Sequence, residues 1–228
     1  KLDSNGDVLW QKTYGGSESD IAKSIQQTSD GGYIVAGFTL SFGVFGWDSW
    51  MLKHDSTGDI LWQKTYDGEI GDDVTWYFNA IQQTTDEGYI ATGYMSSFGF
   101  DSWMLKLDGS GNVTWQKAYG GSDYDIAHSI QQTTDGGYIV AGGTSSFGAG
   151  DSDFFVLKLN RNGEIPDCDI MGTSNTSAID TSVAVSDRNI TFQPSSSIPY
   201  LYNFIHQDIS ADITAVCCYD SDDSDEDG

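Results

Sequence analysis

Two sets of aspartates recur along the chain. Asp20, Asp73 and Asp125 each stand at the head of a strand-like stretch, and Asp48, Asp101 and Asp153 each open a second kind of block. Their loops also carry Glu18, Asp72, Asp123 and Asp151. Grouped carboxylates are hard oxygen donors, and calcium takes six to eight such ligands from carboxylates, backbone carbonyls and water. The six recurring aspartates are therefore the metal candidates, with Ca2+ the cofactor they would hold. The competing reading makes the same side chains turn caps and acceptors of backbone N–H groups. The turn Asp3-Ser4-Asn5-Gly6-Asp7 begins like a calcium loop. Its glycine sits at the fourth position instead of the sixth and no glutamate stands at the twelfth, so it reads as a hairpin turn.

No catalytic set emerges. His54, His128 and His206 occupy unrelated positions, and no metal-ligand spacing or nucleophile motif accompanies them. The chain is therefore read as not an enzyme. Lys12, Lys64 and Lys117 share one repeated position and Lys53, Lys106 and Lys158 another. A lysine needed for one reaction would not recur in every copy, so these are expected on sheet faces or edges near the aspartates. Phe42, Phe98 and Phe147 recur in Ser-Phe-Gly, and Trp50 and Trp103 recur with Phe155. Exposed, they would stack on sugars; at fixed strand positions they are more simply packing aromatics.

The elements that position these residues come from self-comparison. The run from Lys1 to Tyr14 returns from Lys53 to Tyr66 and from Lys106 to Tyr119. Ile25–Ile34 returns at Ile81–Ile90 and Ile130–Ile139, and Asp48–Lys53 at Asp101–Lys106 and Asp153–Lys158. Thr75–Asn79 reads as a loop insertion. Each copy of about 52 residues offers four strands, for example Ala22–Thr28, Tyr33–Phe38, Trp50–His54 and Ile60–Tyr66. Asp30-Gly31-Gly32 supplies a tight turn, because glycine tolerates the positive φ that such turns need. The expected fold is all-β: a β-propeller-like array of three four-stranded repeats plus a small C-terminal β segment, with a β-trefoil as the alternative.

The boundaries follow. Residues 1–165 hold the repeats, 166–219 a cysteine-bearing β module, and 220–228 an acidic, disordered tail. Pro166 cannot donate to a ladder, so the third repeat ends without its outer strand. Val8–Tyr14 is an outer strand with no blade before it, and it would complete the last blade in cis or in trans. The chain opens in the middle of a repeat, so it is read as a processed product or a fragment.

Thirty-four acidic residues against 10 basic ones give a formal charge of −24, which repels nucleic acid and anionic membranes. No apolar run reaches the length of a membrane span. Strand-like runs at Ser182–Ser186, Arg188–Gln193, Tyr200–His206 and Ile213–Tyr219 follow the repeats. Asn175-Thr-Ser and Asn189-Ile-Thr are acceptor patterns for glycans. Cys168, Cys217 and Cys218 are the cysteines, and a Cys168 bond to either of the pair would close a loop of about 50 residues and imply an oxidising compartment. The odd cysteine would be free to cross-link chains.

The strings Trp10–Ser17 (Trp-Gln-Lys-Thr-Tyr-Gly-Gly-Ser) and Asp30–Gly37 (Asp-Gly-Gly-Tyr-Ile-Val-Ala-Gly) resemble tandem repeats of secreted and cell-surface proteins of bacteria and archaea. That family is read as β-propellers without assigned chemistry, and the resemblance covers about residues 1–165. More distantly, Asp55–Trp62 is similar to the blade-docking motif of quinoprotein-type propellers, one residue shorter between Asp and Gly. Carried to Trp10, Trp62 and Trp115, that similarity implies interblade packing. The functional expectation is a non-catalytic extracellular or cell-surface structural or adhesive protein that self-assembles into filaments or oligomers. The alternative is a carbohydrate-binding module that takes surface glycans as partners, and, after it, a fragment of a propeller enzyme.

Overall fold

The computed structural model describes residues 1–43, 46–67, 76–96, 101–121, 123–148, 151–165, 177–180 and 184–186. The protein is all-β. Strand β1 (Thr13–Gly15) precedes a first meander of β2 (Asp20–Gln27), β3 (Tyr33–Thr39), β4 (Asp48–His54) and β5 (Ile60–Asp67). A second meander runs through β6 (Trp76–Gln83), β7 (Tyr89–Met95), β8 (Asp101–Leu107) and β9 (Val113–Tyr119). The third has only β10 (Asp125–Gln132), β11 (Tyr138–Thr144) and β12 (Asp153–Leu159). Within the three repeats every ladder is antiparallel between sequence neighbours, so each repeat folds as its own sheet. A propeller-like array of blades has this order. A trefoil would instead divide each repeat between a shared barrel and a cap.

Two short strands come from the C-terminal segment. β13 (Ser177–Asp180) adds to the free side of β5, giving the order β13-β5-β4-β3-β2, and β14 (Ala184–Ser186) pairs with β1. The other runs expected after residue 186 lie outside the described residues. So does the acidic tail. No described helix is long and apolar enough to cross a membrane.

The repeats share a local device. The first strand of each blade bulges, between Ala22 and Ser24, Phe78 and Ala80, and Ala127 and Ser129. The bulge pushes a carbonyl onto the second strand, where a Cβ at Gly37, Gly93 or Gly142 would collide with the carbonyl of Ile21, Tyr77 or Ile126. Only glycine lets the two backbones approach so closely.

The same register corrects the reading of the insertion. Trp76–Asn79 belong to β6, with Phe78 fully buried, and the extra residues fall within 68–75, which lie outside the described residues. Trp76 pairs with Met95 where Asp20 pairs with Thr39 and Asp125 with Thr144. The residue in register with Asp20 and Asp125 is thus Trp76, and Asp73 precedes the strand.

The core lies between the blades. One cluster joins Ile34, Met51 and Tyr66 of the first blade to Phe78, Ile81 and Tyr89 of the second. The other joins Ile90, Met104 and Tyr119 of the second to Ala127, Ile130 and Tyr138 of the third. The two junctions use equivalent positions, as stacked repeats must when no blade can bury its faces alone.

Candidate functional site

The chemistry-bearing residues converge on the blade junctions. At each junction a tryptophan and a tyrosine, from β5 and β9 or from β1 and the residues before it, reach the next blade's last turn. The Tyr14 hydroxyl donates to the Gly58 carbonyl at 2.6 Å, Tyr66 to Gly111 at 2.9 Å, and Tyr119 to Gly163 at 2.5 Å. Trp10, Trp62 and Trp115 lie over the same glycines, so closely that a Cβ there would strike each indole. Each indole also meets a tyrosine of the next blade edge-on, at 6.0 Å for Tyr33, 5.9 Å for Tyr89 and 5.8 Å for Tyr138. The left-handed glycines, with φ of 83° at Gly58 and 77° at Gly111, are what the turn and the indole jointly require.

The repeated lysines split into two roles. Lys12 pairs with Asp59 at 2.7 Å, Lys64 donates to Asn112 Oδ1 at 2.9 Å, and Lys117 lies 3.8 Å from Glu164, all across a junction. Lys53, Lys106 and Lys158 instead fold back within their own blades onto Asp30, Asp86 and Asp135, at 2.8, 3.0 and 2.8 Å. Each also donates to the carbonyl of the residue that follows it. The Lys53 ammonium and Thr28 hydroxyl hold the Asp30 carboxyl down at about 2, and the same kinds of partner depress Asp135. These turn aspartates are absent from the metal candidates, although their Asp-x-Gly spacing repeats.

A glutamine lock was not legible as such. The Gln83 N–H donates to Gln26 Oε1 at 2.5 Å, while Gln83 Oε1 accepts from Ser29 N–H at 2.8 Å. The next junction repeats it: Gln132 N–H to Gln82 Oε1 at 2.6 Å, and Thr85 N–H to Gln132 Oε1 at 2.8 Å. The signal was the threefold Ile-Gln-Gln-Thr, where paired amides on first strands satisfy each other's backbones.

The six metal candidates have distinct surroundings. Asp20 is engaged by Thr39, by Ser41 at 2.8 Å and by Gly16 N–H at 2.9 Å. Asp125, fully buried, accepts on Oδ2 from Gly121 N–H at 2.8 Å and Ser146 Oγ at 2.6 Å. Asp101 lies beside it, since a Cβ at Gly120 would strike both carboxylates. Neither Asp101 Oδ1 nor Asp125 Oδ1 has a hydrogen-bond partner. Burial and then the Asp125 charge push the Asp101 carboxyl up to about 6. Asp48 is buried beneath Gly43 and half-buried Asp153 lies beneath Gly148, with no neighbouring blade aspartate described at either. Asp73 lies outside the described residues, as do Cys168, Cys217 and Cys218. Among the described residues no three His, Cys, Asp or Glu side chains group as a metal site.

Of the aromatic candidates for sugar stacking, Phe42 and Phe147 are half-buried in the loops after β3 and β11, and Phe98 lies outside the described residues. Trp50, Trp103 and Phe155 are buried, and Phe42 packs on Trp50 at 5.3 Å. His54 is buried where Leu107 and Leu159 stand in the other blades, stacked on Tyr14 at 4.4 Å. Desolvation, then Lys53, hold its imidazole down at about 4. The most exposed aromatic among the described residues is Phe154, 98% exposed against 53% for Tyr124, and it stands beside a shallow groove with His128, Ser152 and Asp153. No protein-family model matches the chain, and no curated protein matches it.

Proposed function

We propose that the protein is a non-catalytic structural or adhesive repeat subunit of the cell exterior, built to assemble with itself. One observation carries this reading: the blades are joined by the same latch, lysine tie and glutamine lock at successive junctions, while among the described residues no further blade covers either end of the array. β12 pairs only with β11 among the described residues, although β4 and β8 each have a fourth strand beside them. Recurrent tryptophans, tyrosines and glutamines are thus spent on joining blades. The high acidic charge, the resemblance of the repeats to those of secreted and surface proteins, and the three cysteines support an extracytoplasmic setting. Negative-stain microscopy of the purified chain, with and without reductant, tests it. Ordered rings, oligomers or filaments support assembly, and a monodisperse monomer in all conditions removes it.

Calcium enters this reading at the Asp101–Asp125 junction, where two carboxylates meet out of water. A melting temperature that rises with calcium and loses the rise in Asp101→Asn tests that role, and an unchanged melt removes calcium from the account. Phe154 favours a second reading as a sugar-binding surface, since a free aromatic face beside Asp153 and Ser152 suits stacking on a saccharide. Glycan-array binding that vanishes in Phe154→Ala would support it; unchanged binding in that variant would remove it.

A further inference from the structure

The two ends of the array are the two halves of its internal junction. At the first junction Met51 is fully buried by Phe78 and Ile81; at the second Met104 is fully buried by Ala127 and Ile130. In the third blade the register places Val156 where Met51 and Met104 stand, and Val156 is 66% exposed. Phe154 replaces the fully buried Ser49 and Ser102 and is 98% exposed. The first blade shows the other half. Ile25, equivalent to the buried Ile81 and Ile130, is 65% exposed, and Ala22 beside it is exposed.

The seat at the first blade is only partly open. Trp10 and Tyr14 already grip Gly58 as Trp62 and Tyr66 grip Gly111. β1 therefore occupies the place of an outer strand belonging to a preceding blade, and a place for three inner strands remains beside it. Among the described residues the third blade has three strands and no outer one. Strand count and apolar character agree.

We propose that the open face of the third blade docks on the first blade of a second copy of this chain, and that the second copy's β1 becomes the missing fourth strand. The inference rests on the assembly reading above and fixes its geometry. The internal ladders set the register. β4–β5 pairs Ser49 with Tyr66 and Trp50 with Thr65, and β8–β9 pairs Ser102 with Tyr119 and Trp103 with Ala118. By equivalence Phe154 pairs with Tyr14, and Phe155 with Thr13, of the second copy. The glutamine lock extends as well: Gln131 stands where Gln26 and Gln82 accept, and Gln27 of the second copy stands where Gln83 and Gln132 donate. β14 does not oppose this arrangement. β5 already carries β4 on one side and β13 on the other, so β1 can carry a β12 on one side and β14 on the other.

The contact is head-to-tail, so a single pair either propagates or closes. Two copies of three blades make a six-bladed ring, within the roughly four to eight blades that propellers use. The committed assembly is therefore a closed dimer of this chain.

The test uses the full chain with Phe154→Asp and, separately, Ile25→Asp, both on exposed positions where the fold itself loses little. Light scattering across a dilution series should give wild-type protein twice the 24.8 kDa chain mass and each variant a single chain mass. Mixing the two variants should restore the double mass, because each retains the face the other lacks. A mixture that stays monomeric overturns the head-to-tail contact. Variants that assemble as wild type overturn these faces while leaving assembly itself in place, and a ladder of higher masses overturns closure. A wild-type chain that is monomeric throughout overturns both this inference and the assembly reading, and leaves the faces to another repeat or to residues 166–228.

Discussion

Replacing Asp101 with asparagine should stabilise the protein, and only above about pH 5. The Asp101 carboxyl rises from 3.8 to about 6 because the junction desolvates it and sets the Asp125 carboxylate beside it. Between those values the folded chain binds a proton that the unfolded chain has released, so this group lowers stability as pH rises through the window. The full shift corresponds to about 3 kcal/mol, and since Asp101 is only half-buried the gain from removing its charge is about 1–3 kcal/mol. An amide at this position also offers an N–H to the unpartnered oxygen of Asp125. For a domain of this size the melting temperature should rise by roughly 2–10 °C at pH 8, with the difference fading as the pH falls toward 4. Paired thermal melts of wild type and variant at pH 4, 6 and 8 measure it. A variant that is less stable at pH 8, or one whose gain is the same at every pH, would refute the argument that two carboxylates repel at this junction.

The remaining predictions concern single devices. His54→Leu, which installs the residue found at Leu107 and Leu159, should add about 2 kcal/mol at pH 5 and much less at pH 8. The buried imidazole is held near 4, so the wild type loses stability as pH falls below the ordinary histidine range; equal gains at both pH values in chemical denaturation would contradict this. His54 and Asp101 oppose each other between pH 4 and 6, so the wild-type profile should be flatter there than that of either variant. Glu87 holds φ 63° where Gly31 and Gly136 hold 81°, and Glu87→Gly should raise stability by about 1 kcal/mol; an unchanged or lower denaturation midpoint counts against it. Tyr66→Phe deletes the buried hydroxyl that donates to Gly111 and should cost about 1 kcal/mol, and a melt indistinguishable from wild type would show the latch to be packing alone.

The blades were legible in the sequence because the pattern was written three times. The Asp-Gly-Gly turns and the alternation after them locate β2, β3, β4 and β5 within one or two residues, and the copies check one another. The change at Pro166 was read as the end of the third blade, and among the described residues that blade has three strands. What failed was alignment across an insertion. Extra residues within 68–75 made Asp73 look equivalent to Asp20 and Asp125, when the strand register gives that place to Trp76 opposite Met95. The register changes both members of the pair at once, Asp and Thr to Trp and Met, and single-residue comparison does not show it. The glutamine lock and the Lys53–Asp30 clamp were hidden for another reason. The glutamine partners come from different blades and become neighbours only once blades stack, while Lys53 and Asp30 sit far apart in sequence and meet only when β4 pairs with β3 inside one blade. β13 escaped notice because an edge strand of four residues, Ser-Ala-Ile-Asp, carries too short an alternation to read.

Hydrogen exchange on the third blade's free edge reaches the central claim most directly. Backbone amides of the segment Asp153–Leu159 should exchange slowly at high protein concentration and faster on dilution, and Thr13–Gly15 should change with them, because each strand's partner is then on another molecule. Exchange in both segments that does not depend on concentration would contradict assembly through these two strands.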